Sequence, residues 1–247
     1  MTESTAAAVV LNNVSKRFGS KQVLHEVSFS VPRGEALCVL GRSGTGKSVT
    51  LRLMIGLIKP DAGDIFISGN HISCLEGKEL SRARCKIGFL FQSAALFDSY
   101  TLYDNLALPL RRLTAKSNSE IEEIVDRGLK QVGLAGDKHK LPGALSGGMR
   151  KRAGLARALV LEPDVLLVDE PSSGLDRITA SEIDDLLLEQ KALHQTTMVI
   201  VTHDVHGARR VGDRFAVLDQ GRLIALGKPE ELEDHESETV RKLVTEN

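Results

Sequence analysis

The 247 residues contain no tryptophan and only three cysteines. Cys38, Cys74 and Cys85 are odd in number and form no C-x-x-C pair. That pattern argues against a disulfide framework and against a cysteine metal site, and it fits a reducing cytosol. Neither sign of charge dominates: the net charge is −1, so bulk electrostatics points to no nucleic-acid partner. No run of about 18 apolar residues is present to span a bilayer. The opening Met1-Thr2-Glu3-Ser4-Thr5-Ala6 lacks the basic and apolar regions of a signal peptide, so none is expected. Repeats and low-complexity linkers are missing too. A chain of this length has ample material for a core, and one domain, or a compact domain with a subdomain, is expected.

What the chain does have is Gly41-Arg42-Ser43-Gly44-Thr45-Gly46-Lys47-Ser48, a match to G-x-x-x-x-G-K-[ST]. The short apolar run Ala36–Leu40 before it reads as a buried parallel strand. Val49 to Ile58 behind it reads as a helix. Glycines at 41, 44 and 46 let the backbone turn its N–H groups toward phosphate. The helix start adds a partial positive charge of about +0.5. Lys47 is suited to the β- and γ-phosphates and the Ser48 hydroxyl to Mg²⁺. A glycine turn with a chance lysine would lack these flanks.

Residues 8–18 and 22–31 pattern as strands, with Val27, Phe29 and Val31 alternating so that one face is wet. By spacing alone Phe18 belongs to a core. Further strands are expected at 64–68, 87–91, 165–168 and 196–201, and a hairpin at 215–218 and 223–226 around Gln220-Gly221. Leu96 to Leu110 is mixed and aromatic, and 111–118 reads as a solvated loop. A capping box at Ser119–Glu122 opens a helix carrying Ile121, Ile124, Val125, Leu129 and Val132, which Gly133 ends. Ser146 opens a helix to about Val160, and Ser172–Asp176 leads into another. The tail from Lys228 is acidic, with helical character near Val240, Leu243 and Val244. Its apolar content is small, so a frayed end is expected, with a strap onto a partner copy as the alternative. Strands alternating with helices from 36 to 205 predict an α/β domain with a mostly parallel sheet, interrupted by a helical segment at about 93–160.

Ligands in such sheets bind beyond the carboxyl ends of the strands. Four expected strands end there in the phosphate loop, Gln92, Asp169-Glu170 and His203. Phosphoryl transfer needs a carboxylate on Mg²⁺, for which Asp169 is placed, and one to orient water, for which Glu170 is next in line. His203 is suited to a γ-phosphate, although a lone histidine at a strand end is more often structural. Ser146-Gly147-Gly148 is a second anion-binding helix start in the same chain, which suggests a site completed by another copy.

Taken in order, these motifs resemble those of the ATP-binding subunits of ABC transporters over nearly the whole chain. Gly41–Ser48 matches the family's Walker A motif, Gln92 its Q-loop and Leu145–Met149 its signature. Val165–Glu170 matches Walker B, Ser173–Asp176 the D-loop and His203 the switch histidine. The resemblance implies a RecA-like P-loop NTPase core with an antiparallel β-subdomain and an inserted helical subdomain, all one nucleotide-binding domain over 1–247. It implies ATP and Mg²⁺ as cofactors and Glu170, His203, Lys47 and Gln92 as catalytic groups. Nucleotide contacts fall on Phe18, which would stack on adenine, Gly41 through Val49, Ser146, Gly147, Gly148 and Asp176. Metal contacts fall on Ser48, Gln92 and Asp169. A head-to-tail pair of copies would hold each ATP between one Walker A and the other's signature.

Met149 departs from the usual glutamine of the signature and cannot supply an amide's hydrogen bonds. The variant Leu-Ser-Gly-Gly-Met-Arg-Lys-Arg, with Phe91–Ser99, is similar to the MlaF-type subunits of the Mla/Mce branch. That likeness implies phospholipid or lipid transport through a separate integral permease at the cytoplasmic face of a bacterial inner membrane, with accessory subunits. Phe97, Tyr100, Leu102 and Tyr103 are candidates to receive the permease, or equally to fill the helical subdomain's own core. Two other readings compete: an ABC ATPase for another solute or a cytosolic task, and a nucleotide-gated module without hydrolysis. Glu170 and His203 argue against the last.

Overall fold

The computed structural model describes residues 7–245. The N-terminal expectation over Met1–Ala6 and the end of the expected tail lie outside those residues. β1 (Ala7–Phe18) and β2 (Lys21–Pro32) pair antiparallel, and β4 (Ala62–Ile67) and β5 (Asn70–His71) complete a four-stranded sheet in the order β2-β1-β4-β5. On β2 the alternation holds: Val27, Phe29 and Val31 are buried while Glu26, Ser28 and Ser30 face out.

The second sheet has six strands. β3 (Ala36–Leu40), β6 (Ile87–Leu90), β7 (Val165–Asp169), β8 (Thr197–Val201) and β9 (Arg214–Asp219) run parallel, and β10 (Arg222–Gly227) returns antiparallel, in the order β10-β9-β3-β8-β7-β6. Every residue of β3, β6, β7 and β8 is buried, as continuous apolar runs require in a sheet covered on both faces. The β9–β10 turn uses Gln220 and Gly221, both at positive φ, a geometry that matches the twist of a hairpin.

The helices are α1 (Lys47–Met54), α2 (Gly77–Arg84), α3 (Leu102–Leu113), α4 (Asn118–Gln131), α5 (Gly147–Leu159), α6 (Arg177–His194), α7 (Val205–Val211), α8 (Pro229–Glu233) and α9 (Glu238–Thr245). Alternate residues of each parallel strand feed two cores. Leu37, Val39, Leu167 and Val199 pack toward the antiparallel sheet and α1, whereas Cys38, Leu40, Leu166 and Ile200 pack toward α5, α6 and α7. A third core, with Leu106, Leu110, Val125, Leu129 and Ala153, belongs to α3, α4 and α5, the expected helical insertion.

Three expectations are corrected, and one helix, α2, was not expected. The capping box forms two residues earlier than expected: Ser117 Oγ accepts from Glu120 N, and Glu120 Oε2 accepts from Ser117 N at 2.7 Å. The same S-x-x-E spacing occurs there, and the chain enters the helix at the first box available. α3 runs on to Leu113, so the expected solvated loop shrinks. The short polar helix α2 carries one buried residue, Ala83, and so gave no periodic signal. The tail is not frayed over its described length: Leu232, Val240 and Val244 are buried in the core beneath α7, and Arg209 Nη2 donates to Val244 O at 2.9 Å.

Candidate active site

Parallel pairing of β3, β8, β7 and β6 places their carboxyl ends side by side, and with them the phosphate loop, His203, Asp169-Glu170 and Gln92. A cleft of about 470 Å³ opens there, lined by Gly44, Lys47, Ser48, Gln92, Glu170 and His203 among others. Gly46 caps α1 at φ +105, and a Cβ on it would meet Leu24 Cδ2 at 2.6 Å. No side chain fits there, because the loop wraps against β2. Arg42, Ser43 and Gly44 are exposed at the rim, Thr45 Oγ1 donates to Arg42 O at 2.9 Å, and Val49 packs on the core from α1.

Lys47 is buried and donates to Gly41 O at 2.7 Å and Arg42 O at 3.1 Å, with Glu170 Oε1 3.8 Å away. Burial pulls its pKa below that of an ordinary lysine, opposed by the charges of Glu170 and Asp169. Ser48 Oγ donates to Asp169 Oδ1 at 2.8 Å. Burial pushes the Asp169 carboxyl up, and the Ser48 hydrogen bond draws it back. Two oxygen ligands therefore stand side by side at the start of α1, beside a buried ammonium. A hard cation carrying phosphate fits this donor set.

Glu170 sits at φ +49, and its N–H donates to Val201 O at 2.8 Å. Its carboxylate reaches His203, whose Nδ1 lies 2.7 Å from Oε2 and whose backbone N–H donates to the same oxygen at 3.3 Å. Gln92 is exposed at the cleft, with Nε2 3.5 Å from Ser173 Oγ. A buried carboxylate beside an exposed imidazole and an exposed amide can take a proton from water and orient it.

Phe18 is 47% exposed, so the spacing-based core expectation fails. It pairs in register with Lys21, which lines the cleft, and its exposed ring has Lys16 Nζ 5.5 Å from its centre. Ser146 caps α5, its Oγ accepting from Met149 N at 3.2 Å, and with Gly147 it is exposed outside the lining of the phosphate cleft. Gly148 is different. It is buried, and a Cβ there would lie 2.3 Å from Thr179 Cγ2, so its described role is the close approach of α5 to α6. Asp176 accepts from Ile178 N, Thr179 N and Thr179 Oγ1, which makes it the N-cap of α6.

Of the four residues offered for docking, Phe97 and Tyr100 are exposed, with rings 5.5 Å apart. Leu102 is fully buried, and the Tyr103 ring receives Lys138 at 5.0 Å and Arg111 at 5.5 Å. Sequence reading missed what holds this segment. Buried Asn105 accepts from Phe97 N at 2.8 Å and donates to the carbonyls of Phe97, Tyr100 and Thr101. It also missed Arg157, which donates to the carbonyls of Ala94 and Ala95 just beyond Gln92, and Lys151, which donates to Glu170 O. Helical phase carried a signal for Lys151, since it shares the buried stripe of Gly148 and Leu155.

A second cleft of about 470 Å³ opens at the opposite sheet edge, between α4, α5 and α6. It contains none of the motif residues, and its lining mixes Arg33 and Arg127 with Glu162 and Asp164, so its charge selects no ligand class.

A family model described as ABC transporter matches residues 24–173. The chain is 45% identical over 237 residues to the probable ribonucleotide transport ATP-binding protein mkl of Mycobacterium tuberculosis, covering 96% of this chain and 66% of that protein. The chain thus spans about two thirds of that relative's length. It is 38% identical over 253 residues to protein TRIGALACTOSYLDIACYLGLYCEROL 3, chloroplastic, of Arabidopsis thaliana, covering 94% of this chain and 72% of that one. Among solved structures, a dimeric ATP-binding cassette in a post-hydrolysis state bound to ADP and Pi superposes with a TM-score of 0.83 at 34% identity, covering 89% of this chain and 98% of that chain.

Proposed function

The chain belongs to the ABC transporter family, whose ATP-binding domain it carries, and on that premise we propose that it hydrolyses Mg-ATP to drive lipid transport through a separate membrane permease. The observation that carries the hydrolysis is the meeting of Lys47, Ser48, Asp169, Glu170, Gln92 and His203 at one sheet edge. In this reading the loop N–H groups and Lys47 take the phosphates, and Phe18 takes the base. Ser48, Asp169 and Gln92 hold Mg²⁺, which neutralises phosphate charge when bound. Glu170 orients and deprotonates the attacking water, and His203 holds Glu170 and faces the γ-phosphate.

Two copies close head to tail. The exposed Ser146-Gly147 face supports this, since it is a helix N-terminus outside the lining of the chain's own phosphate cleft. The relative captured as a dimer with ADP and Pi supports it too. No helix among the described residues is long and apolar enough to cross a membrane, which is consistent with a peripheral subunit docked through exposed Phe97 and Tyr100. The lipid assignment rests on the Met149 signature variant and on the Arabidopsis relative, whose name is that of a galactolipid. The mycobacterial relative's name favours ribonucleotides as the alternative cargo.

The test is purification of the chain with its membrane partners. ATP hydrolysis would be measured with and without them, alongside mass spectrometry of bound lipid and nucleotide. Hydrolysis that rises with the permease, disappears in Glu170→Gln and accompanies bound phospholipid supports the proposal. Hydrolysis without lipid, or a ribonucleotide moved across the bilayer, removes the lipid assignment.

A further inference from the structure

Glu170 holds an unusual backbone. Its φ of +49 lies in the left-handed region, and Pro171 follows it directly. Left-handed geometry is costly for a side chain with a Cβ, and a residue before proline is steered toward extended conformations. Something outside the segment must hold it. Val201 O takes its N–H at 2.8 Å, and His203 takes its carboxylate. The remaining group is the carbonyl, which accepts from Ser173 N at 3.3 Å within the turn and from Lys151 Nζ at 2.7 Å from outside it.

Lys151 is itself 6% exposed, a buried cation in the second turn of α5. Among the described residues no carboxylate oxygen lies within ion-pair distance of it, so this backbone carbonyl is its direct partner. Burial lowers its pKa, and the charges of Glu170 and Asp169 oppose that. A buried ammonium is expensive unless it is hydrogen-bonded, so the contact is one the fold has reason to keep.

We propose that Lys151 is a positioning residue: from α5 it fixes the left-handed Glu170 peptide, and thereby links the exposed N-terminus of that helix to the chain's own water-activating carboxylate. Ser146 at that N-terminus is five residues from Lys151, about 7.5 Å along one rigid helix. In the head-to-tail pair proposed above, a phosphate held by the partner copy lands on that N-terminus. The same helix then sets Glu170 at the other nucleotide, so the two sites are coupled through Lys151. The coupling half of the inference rests on the proposed dimer, and the positioning half does not.

Two variants test it, with Lys151→Met removing the donor at similar volume and Lys151→Gln keeping a shorter one. Lys151→Met is expected to lower kcat by about tenfold to 10²-fold with KM for ATP changed by less than about twofold, the signature of a misplaced reacting group. Wild type is expected to show a Hill coefficient above 1 that falls to 1 in Lys151→Met, with Lys151→Gln intermediate in both readouts. Hydrogen exchange without nucleotide provides a readout independent of activity. The amides of Ser172, Ser173 and Gly174 should exchange faster in Lys151→Met, while those of β8 stay unchanged. Full kcat in Lys151→Met, or an equal loss of ATP affinity and thermal stability with no split between kcat and KM, overturns the proposal. A wild-type Hill coefficient of 1 overturns the coupling. Wild type that fails to hydrolyse ATP defeats the proposed function, and the exchange comparison then still decides the positioning. Should Lys151→Met fail to fold, Lys151→Gln carries the same comparisons.

Discussion

His203 and Glu170 are bound twice over: the ring Nδ1 and the backbone N–H of His203 both address Glu170 Oε2, at 2.7 and 3.3 Å. The ring is exposed while the carboxylate is buried. Removing the ring therefore leaves one donor in place. His203→Ala is expected to slow hydrolysis less than Glu170→Gln, whose loss should reach about 10²-fold or more, with ATP binding retained in both. Single-turnover hydrolysis beside nucleotide binding checks the order; equal losses in the two variants would contradict it.

Ser48 and Asp169 share one hydrogen bond and one proposed cation. Ser48→Ala should raise the Mg²⁺ concentration needed for half-maximal hydrolysis several-fold, while ATP affinity in EDTA changes little. A magnesium titration decides this, and an unchanged midpoint would dissociate Ser48 from the metal.

Gly148 and Thr179 touch where α5 crosses α6. A methyl on Gly148 falls 2.3 Å from Thr179 Cγ2, so Gly148→Ala should destabilise the fold by about 1–3 kcal/mol. Thr179→Ser removes that methyl and keeps the hydroxyl on Asp176. The double variant should recover most of the loss, and denaturant unfolding of all four proteins gives the coupling.

Asp184 is buried beside Arg210, and burial pushes its carboxyl up to about 6. The unfolded chain binds this proton less tightly, so folding stability falls as pH rises from about 4 to about 6 and the penalty is complete above that. Asp184→Asn should therefore raise Tm at pH 8 and lose that advantage near pH 4. Arg210 keeps Asp185 and Ser181 as partners in the variant. Equal Tm differences at both pH values would reject the assignment.

Much of this site was legible because backbone geometry imposes it. A phosphate loop needs its glycines at fixed places, and a parallel strand buried on both faces reads as an unbroken apolar run. The order in which strands lie side by side was not legible, since β8 enters between β3 and β7 through long crossovers. Nor was the burial of Lys151 between exposed Arg150 and half-buried Arg152, because a basic triplet reads as a solvated face until helical phase is imposed. The tail carried its signal in Val240 and Val244, four residues apart on one face of α9. Their number was small, but both are fully buried. Asn105 could not be found at all, since its four bonds join groups that become neighbours only after the loop has folded.

The aromatic ring and the phosphate loop belong to different sheets. Phe18 ends a strand of the antiparallel layer, while Lys47, Asp169 and Glu170 hang from the parallel one. In the proposed reading, the contact to the base and the groups that act on the phosphates are thereby carried by different sheets. The two supports meet where Gly46 of the loop packs on Val23 and Leu24 of β2, so a change at that contact reaches both.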